Sequence, residues 1–157
     1  MVVENDTPEL AGLRRDLLDL LFVEGNHFCM VCEKSGDCEL QALAYRLGIT
    51  APRFRFQFPR RALDASHPGV LLDRDRCILC GRCVRSAREL DDKHPLGFVG
   101  RGPDKRLAAD AAAGLGGTEL LPTDQAVAAC PTGALLRRGG AYAVPIGRRR
   151  FDQEPIG

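Results

Sequence analysis

The spacing of the seven cysteines constrains this chain more than any other feature of its sequence. Three of them follow a C-x2-C-x2-C pattern in the run CILCGRC, and a fourth lies far downstream in ACPTGAL. These four are Cys77, Cys80, Cys83 and Cys130. Three thiolates at this pitch can wrap three corners of an iron–sulfur cube, and the fourth corner is typically bound by a distant Cys that precedes Pro. The pattern therefore predicts one [4Fe-4S] cluster.

A structural zinc ion and a pair of clusters are the two alternatives for this set. Structural zinc sites usually combine two C-x2-C pairs rather than a trio with a distant partner, so the spacing favours iron. Two-cluster bacterial ferredoxins carry a further Cys four residues after the third one, and that Cys binds the second cluster. Here Ala87 occupies that position. We therefore expect this module to hold a single cluster.

The remaining cysteines form another possible ligand set near the start of the chain, which we call the first ligand set because it precedes Cys77, Cys80, Cys83 and Cys130, the second ligand set. They are Cys29, Cys32 and Cys38, in the run GNHFCMVCEKSGDC. Three thiolates leave one iron of a cubane without a protein ligand, and His27 is the best nearby candidate because imidazole is a common metal ligand. A three-cysteine site closed by Asp37, Glu33 or water is the alternative. We read His67 and His94, which lie in Pro-flanked loops, as non-functional.

Composition places the chain among globular proteins and excludes several functions. The sequence has 157 residues and a formal net charge of +1, which gives no reason to expect nucleic-acid binding. The apolar stretches are too short to cross a bilayer, and the first residues have no signal-peptide pattern, so we expect a cytoplasmic protein without a membrane span. Clustered thiols in odd number also favour metal binding over complete disulfide pairing.

Periodicity predicts two helices and one strand around the first ligand set. Residues 7–24 have leucines at helical spacing, a capping-box spacing between Asp6 and Glu9, and Gly25 at the end. A second helix is predicted from Cys38 to a C-capping Gly48. Residues 53–58 alternate Arg or Gln with Phe, which predicts a half-buried strand with its Phe side chains on one face. Aromatic stacking on nucleic acid is the less favoured reading of that run.

The second half is expected to be α+β. A connector is predicted over 60–69, followed by a short helix from Cys83 to Leu90 and mostly loop over 97–117. A helix capped by Thr123 should extend through Ala129. A β-hairpin over 135–142 around Gly139-Gly140 and a polar surface tail over 148–157 complete the prediction. The expected domains are 1–68, a helical module with one-His, three-Cys ligation, and 69–157, a ferredoxin-like module with a single cluster.

The sequence shows no catalytic constellation. The glycine-rich pieces over 100–102 and 114–117 lie outside a strand–G-x-G-x-x-G–helix context, so neither a nucleotide nor a flavin is expected on this chain. No Ser/His/Asp set or pair of carboxylates accompanies a plausible pocket. Two clusters without an active site are typical of an electron carrier.

Four runs together resemble a known family. EGNHFCMVCEKSGDCELQALAYRLGI, DRDRCILCGRCVR, GFVGRG and ACPTGAL resemble the small diaphorase, or iron–sulfur, subunit of soluble NAD-reducing [NiFe] hydrogenases. They are also similar to the large iron–sulfur subunit of respiratory complex I and to NAD-dependent formate dehydrogenases. The ending AYAVPIGRRRFDQEPIG is most like the hydrogenase form. Members of this family carry an N-terminal [2Fe-2S] domain, and the sequence begins about where that domain would end.

The resemblance implies both ligand sets and a role. It implies one cluster on His27, Cys29, Cys32 and Cys38, and another on Cys77, Cys80, Cys83 and Cys130. Electrons would pass between a [NiFe] hydrogenase module and a flavin subunit that reduces NAD. The expected partners are therefore a flavin/NAD-binding diaphorase subunit and a hydrogenase small subunit, in a hetero-oligomer.

Two alternatives remain at this point. The chain could belong to a formate dehydrogenase or to complex I, or it could be a free-standing ferredoxin-like carrier. If the chain is a subunit, the Arg pair at 60–61 and the Arg triplet at 148–150 are the expected docking surfaces, since Arg is enriched at protein interfaces.

Overall fold

A computed structural model describes residues 1–157, which divide into two compact units. The first unit combines Met1–Pro59 with Val144–Gly157, and the second is Arg60–Ala143. The sequence-based division at 68/69 instead assigned residues 144–157 to the second module. The backbone N–H of Phe151 donates to the carbonyl of Gly36 at 2.9 Å, which explains why the C-terminal residues group with the first unit.

The first helix has nearly the predicted bounds. Helix α1 is Pro8–Glu24, and Gly25 ends it as expected. Its N-cap is Thr7 rather than the predicted Asp6, because the Thr7 hydroxyl accepts a hydrogen bond from the Leu10 N–H at 3.2 Å. Pro8 in the first helical turn fixes a helical φ at a position where no N–H is needed.

The buried face of α1 differs from the leucine stripe that periodicity indicated. Asp19 is completely buried and Val23 is 3% exposed, whereas Leu13, Leu17 and Leu20 are exposed. The Asp19 carboxylate accepts hydrogen bonds from the backbone N–H of Arg53 and from its guanidinium Nε, each at 3.0 Å. This ion pair turns the polar side of α1 towards the segment that follows α2.

Helix α2 confirms the second helical prediction. It is Glu39–Arg46, with Cys38 as its N-cap residue. Leu40 and Ala44 are buried, as the apolar stripe indicated. The chain leaves the helix through Gly48 at φ +70°, a left-handed conformation that glycine adopts without a Cβ clash, and the Ile49 N–H then bonds to the Ala44 carbonyl at 2.9 Å.

The predicted strand over 53–58 is wrong. The segment is irregular, and Phe58 has φ +48°, which no regular strand tolerates. The Gln57 N–H donates to the Val23 carbonyl of α1 instead of to a neighbouring strand. Phe54 and Phe58 are exposed, and the Phe56 and Phe58 rings contact each other with centroids 5.0 Å apart. Alternation alone does not make a strand when no partner strand is available.

The second unit contains two small antiparallel sheets and two helices. Strands β1 (Leu63–Asp64), β2 (Val70–Asp73) and β5 (Leu135–Arg137) form one sheet in the order β1-β2-β5, and β3 (Leu96–Val99) pairs with β4 (Arg106–Ala109). The helices are α3 (Arg82–Glu89) and α4 (Gln125–Ala128), while α5 (Arg150–Gln153) belongs to the first unit. Strands and helices on one small core give the α+β class that was expected.

One prediction for this unit is incomplete and another is wrong. The expected loop over 97–117 missed a four-pair ladder in which β3 and β4 pair from Leu96↔Ala109 to Val99↔Arg106. Residues 135–142 do not form a hairpin, because β5 pairs with β2 instead, with Leu72 opposite Leu135. Both of these leucines are buried, so burial of apolar surface favours this pairing, and no strand follows the Gly139-Gly140 turn.

The two helices of the second unit are close to their predicted positions. Helix α3 ends at Glu89, one residue before the predicted end. Helix α4 begins after Asp124 rather than Thr123. The acceptor for its first backbone N–H groups lies in the segment after α3. The Asp91 carboxylate accepts from the Gln125 and Ala126 N–H groups at 2.9 Å each. A distant carboxylate therefore supplies the cap.

One apolar cluster fills the second unit and includes two of the cysteines. Its buried members are Val70, Leu72, Cys83, Ala87, Leu96, Leu107, Leu115, Leu120, Ala126, Val127, Cys130, Ala134 and Leu135. Two predicted ligands are thus fixed by the packed core rather than by mobile loops. None of the helices is both long enough and apolar enough to cross a bilayer.

Candidate metal centres

The second unit contains a cavity that is lined by all four cysteines of the second ligand set. Its volume is about 330 Å³, including the part that is open to solvent. The lining consists of Cys77, Ile78, Cys80, Gly81, Cys83, Phe98, Leu107, Cys130, Pro131, Thr132, Ala134 and Leu135. The structure thus brings Cys130 to the C-x2-C-x2-C loop although almost fifty residues separate them in the sequence.

Two left-handed residues shape the cysteine loop. Leu79 has φ +54° and Gly81 has φ +73°, on either side of Cys80. Gly81 is also the N-cap of α3, so Cys83 lies in the first turn of that helix. A left-handed bulky residue such as Leu79 costs of order 1–3 kcal/mol and occurs mainly where function requires the conformation. The turns direct consecutive cysteines to the same cavity.

Cys130 is held by the turn that follows α4. Its thiol donates to the Thr132 carbonyl at 3.2 Å, and the Leu135 N–H reaches its sulfur at 3.4 Å. The Thr132 hydroxyl donates to the Arg76 carbonyl at 2.9 Å. Since Arg76 immediately precedes Cys77, this single hydroxyl ties the Cys130 segment to the start of the cysteine loop.

The electrostatics of this cavity disfavour free thiolates. Burial, followed by repulsion from Cys130, Cys77 and Cys80, raises the pKa of the Cys83 thiol to about 12. Burial also raises the pKa of Cys77, with contributions from Cys130 and Cys80. Mutual repulsion of this kind requires sulfur atoms that lie close together. Such a set becomes stable as thiolates when cationic iron takes the place of the protons.

The donor set and its surroundings fit a [4Fe-4S] cluster. Four soft sulfur donors converge on a largely apolar cavity, of which Cys80 is the exposed corner and Cys83 and Cys130 are buried. No three His, Cys, Asp or Glu side chains are grouped so as to hold a metal ion. A cubane has a different requirement, because each of its four irons takes one ligand.

The first unit brings together the three cysteines of the first set. Cys29 begins a 3-10 turn that ends at Val31, and the Cys32 N–H bonds to the Cys29 carbonyl at 3.4 Å. Cys38 is the N-cap residue of α2. Burial raises the pKa of Cys38 to about 12, partly offset by the backbone N–H groups of Gln41 and Leu40, and Cys29 and Cys32 raise it further. The three cysteines therefore influence one another electrostatically.

His27 lies at the edge of this group. Its carbonyl accepts from the Cys29 N–H at 3.1 Å, and its ring packs edge-on against Phe22 with centroids 5.5 Å apart. Asp37, one of the alternative ligands, forms an ion pair with Lys34 at 2.6 Å. His67 is 9% exposed, and its Nδ1 accepts from the Gly69 N–H at 3.0 Å, which is a structural contact.

Sequence reasoning missed Gln41 as part of the first site. This amide is buried within α2, where it accepts from the Gly36 N–H at 2.7 Å and donates to the Ser35 hydroxyl at 3.2 Å. Burial and Cys32 raise the pKa of Cys29, and the Gln41 side chain acts against them. The sequence feature that could have indicated Gln41 is its position as a polar residue between Leu40 and Ala42, both of which are buried.

Sequence reasoning also missed a second, smaller cavity beside Cys77. It measures about 200 Å³, again including open space, and is lined by Arg61, Arg74, Cys77, Leu79, Lys105, Arg106 and Leu107. We call it the cationic cavity because four of its lining side chains are basic: Arg61, Arg74, Lys105 and Arg106. Four basic side chains beside a predicted cluster ligand have no counterpart in the sequence motifs.

The three arginines over 148–150, predicted as a docking surface, differ in their surroundings. Arg149 bonds within its own unit, to both carboxylate oxygens of Asp152 and to the Ser35 carbonyl. Arg148 and Arg150 are exposed. Only these two arginines remain available for the docking role that was expected of all three.

Two family models match the chain, one for each ligand set. Residues 14–53 match the iron–sulfur binding region of NADH-ubiquinone oxidoreductase G. Residues 67–136 match the ferredoxin-like domain of NADH-quinone oxidoreductase subunit 3. The first range includes His27 and the three cysteines around it, and the second includes the four cysteines of the second set.

Similar proteins belong to hydrogenases and NADH oxidoreductases. The gamma subunit of the NAD-reducing hydrogenase HoxS from Cupriavidus necator is 39% identical over 98% of this chain and 66% of its own length. The 78 kDa subunit of NADH-ubiquinone oxidoreductase from Neurospora crassa is 31% identical over 90% of this chain and 19% of its own.

A solved structure has the same fold. A chain in the crystal structure of an NAD+-reducing [NiFe]-hydrogenase in the H2-reduced state superposes with a TM-score of 0.92 and 52% identity, over 96% of this chain and 64% of that one. The chain thus spans just under two thirds of these two hydrogenase proteins and about a fifth of the NADH-ubiquinone oxidoreductase subunit.

Proposed function

Since this chain is related to the iron–sulfur subunits of NAD-reducing [NiFe] hydrogenases and of NADH-quinone oxidoreductases, we propose that it is an electron-transfer subunit of an NAD-linked hydrogenase. It would relay electrons between a [NiFe] hydrogenase module and a module that binds flavin and reduces NAD. The observation that carries this proposal is the cavity in which Cys77, Cys80, Cys83 and Cys130 converge.

The proposed ligands form two sets. Cys77, Cys80, Cys83 and Cys130 would hold one [4Fe-4S] cluster in the second unit. The first unit would hold another on His27, Cys29, Cys32 and Cys38. The electrostatic influence of Cys29 and Cys32 on Cys38 supports the set in the first unit, and the His27 side chain is its proposed fourth ligand because the sequence offers no fourth cysteine there.

A bound cubane supplies one-electron chemistry that no amino-acid side chain here offers. The chain's own contribution is to position and insulate the ligands. Phe98, Leu107 and Leu135 line the cysteine cavity and limit the access of water to the sulfur atoms. The Leu135 N–H points at the Cys130 sulfur, and hydrogen bonds to ligand sulfur are among the determinants of cluster potential.

No catalytic residue is proposed on this chain, and its partners complete the enzyme. The proposed partners are a flavin/NAD-binding diaphorase subunit and a hydrogenase small subunit, in a cytoplasmic hetero-oligomer. The similarity to the NAD-reducing hydrogenase proteins supports this assignment. A role in an NADH-quinone oxidoreductase is the second candidate, favoured by the matches of both ligand regions to that family's models.

Affinity purification of the tagged chain from its native host, under anaerobic conditions, separates these roles. The proposal predicts co-purification with flavin- and nickel-containing subunits and H2-dependent reduction of NAD+ by the isolated complex. Recovery of a quinone-reducing complex without nickel would favour the second candidate. A stable monomer with no partner would contradict both and indicate a free-standing carrier.

A further inference from the structure

The cationic cavity lies directly beside the cysteine cavity. The two share Cys77 and Leu107 in their linings, so the four basic side chains approach the proposed cluster from the Cys77 side. Phe98 links the cavities as well, because it lines the cysteine cavity while the Lys105 ammonium lies 4.8 Å from its ring centroid. This cation–π contact holds a positive charge next to the cluster site.

The four cations do not all have the same function. Arg74 is 14% exposed in its side chain, donates to the Leu107 carbonyl at 2.8 Å and to the Ala62 carbonyl at 2.7 Å, and lies 3.8 Å from Asp64. Arg74 is therefore a structural residue whose charge is balanced. Arg106 donates to the Asp104 carbonyl at 3.4 Å, which leaves its charge uncompensated by that contact.

Arg61 and Lys105 are the members that contact neighbours of the cluster site, namely Asp75 near Cys77 and Phe98 in the lining of the cysteine cavity. The Arg61 backbone N–H donates to the Asp75 carboxylate at 2.9 Å, so one acidic group lies close to Arg61 and moderates its field. Lys105 is exposed and is positioned by the Phe98 ring. The lining of the cavity contains four cationic side chains and no acidic one, and Asp64 and Asp75 lie beside Arg74 and Arg61.

We propose that the cationic cavity, chiefly through Arg61 and Lys105, raises the reduction potential of the cluster held by Cys77, Cys80, Cys83 and Cys130. This inference rests on the proposed function. Reduction adds one electron to the cluster and its four thiolates without a proton, so the site gains one negative charge. Nearby positive charges stabilise the reduced state more than the oxidised state, and net charge is a recognised determinant of cluster potential.

The test compares Arg61→Gln, Lys105→Gln and the double variant with the wild type in the intact complex purified anaerobically. EPR-monitored redox titration with mediators gives the potential of each cluster. Each single variant should make the potential of the second-unit cluster more negative, and the double variant should make it more negative than either single one. The potential of the cluster at Cys29, Cys32 and Cys38 should not move.

Arg60→Gln is the matched control, because Arg60 precedes Arg61 but does not line the cationic cavity. It removes the same charge from the same complex and should leave the potential unchanged. Arg61→Lys retains the charge and should keep the potential close to that of the wild type. Iron content of each preparation verifies that the cluster is present before its potential is compared.

Several outcomes would overturn the inference. Unchanged potentials in the double variant, with full iron content, would refute the inference and leave the proposed function intact. An equal shift in Arg60→Gln would show an effect of net charge without a role for the cavity. If instead Cys130→Ser removed no EPR signal, the second unit would hold no cluster, and the proposed function would fail together with the inference.

Discussion

The ammonium of Lys93 lies 2.8 Å from each carboxylate oxygen of Asp124. Lys93 follows α3, which carries Cys83, and Asp124 is the N-cap of α4, which leads to Cys130. The Asp124 carboxylate also accepts from the Leu121 N–H at 2.8 Å. This ion pair therefore connects the two segments that bring distant cysteines to one cavity.

Replacement of Lys93 by Met should destabilise the protein by about 1–3 kcal/mol, because it leaves the buried Asp124 carboxylate without its cation. The midpoint of urea-induced unfolding, followed by circular dichroism, measures this loss. Arg88→Met is the matched control. Arg88 and Glu89 form an ion pair at 3.9 Å with most of both side chains exposed, and its loss should cost less than about 1 kcal/mol.

The cost of Lys93→Met should be no larger at about pH 5 than at about pH 8. Burial alone would raise the pKa of Asp124, but in the wild type the Lys93 ammonium and the Leu121 N–H outweigh it and lower that pKa below its ordinary value. The wild-type stabilisation is therefore complete above the pKa of the unfolded chain, whereas in the variant the Asp124 pKa rises and protonation at low pH relieves the unpaired charge. A cost that is larger at about pH 5 than at about pH 8 would contradict the assigned direction.

Gly81→Ala should destabilise the second unit by roughly 1–2 kcal/mol and accelerate iron loss from its cluster, because Gly81 has φ +73° and alanine is strained there. A Cβ at this position would also lie 3.0 Å from the Arg85 guanidinium, which can move aside. The rate of bleaching of the visible absorption under a chelator measures the effect. Gly97→Ala, where a Cβ has open space, should behave like the wild type.

Arg149→Ala should make the first-unit cluster more labile, because Arg149 and the Phe151 N–H hold the C-terminal residues against Ser35 and Gly36, between Cys32 and Cys38. Loss of the first-unit EPR signal on exposure to air is the measurement, with the second-unit signal as internal reference. Arg148→Ala removes an exposed arginine from the same run and should have no such effect. Equal loss of both signals would assign Arg149 a global role.

Local signals made part of the fold predictable, and tertiary contacts determined the rest. The cysteine motifs and the helices α1, α2 and α3 are encoded over short stretches, so spacing and periodicity were sufficient. Strand β1 has only two residues and exists because β2 pairs with it, so no pattern within 60–69 could reveal it. The Phe run at 53–58 alternated like a strand but had no partner.

The cationic cavity was unpredictable for a related reason. Arg61 precedes β1 and Lys105 precedes β4, and only the folded second unit places both beside Cys77. The burial of Asp19 in α1 followed from Arg53, which likewise lies far away in the sequence. Long-range ion pairs overrode the leucine periodicity that had suggested a different buried face.

His27→Cys should retain the first-unit cluster and lower its potential, whereas His27→Ala should make the cluster labile. Imidazole is neutral and thiolate is anionic, so a cysteine adds about one negative charge, which disfavours reduction. Redox titration followed by EPR measures both variants. An unchanged first-unit signal in His27→Ala would show that another group, such as Glu33 or a solvent molecule, holds the fourth iron.

We propose that this chain holds two independent [4Fe-4S] clusters, and the most direct test is Mössbauer spectroscopy with iron and sulfide analysis of the anaerobically purified chain and two variants. We expect about eight irons and eight sulfides per chain, in two clusters. Cys38→Ser should affect only the first-unit cluster, and Cys130→Ser only the second-unit cluster. Zinc in place of iron, or one variant that abolishes both clusters, would contradict the two-cluster proposal.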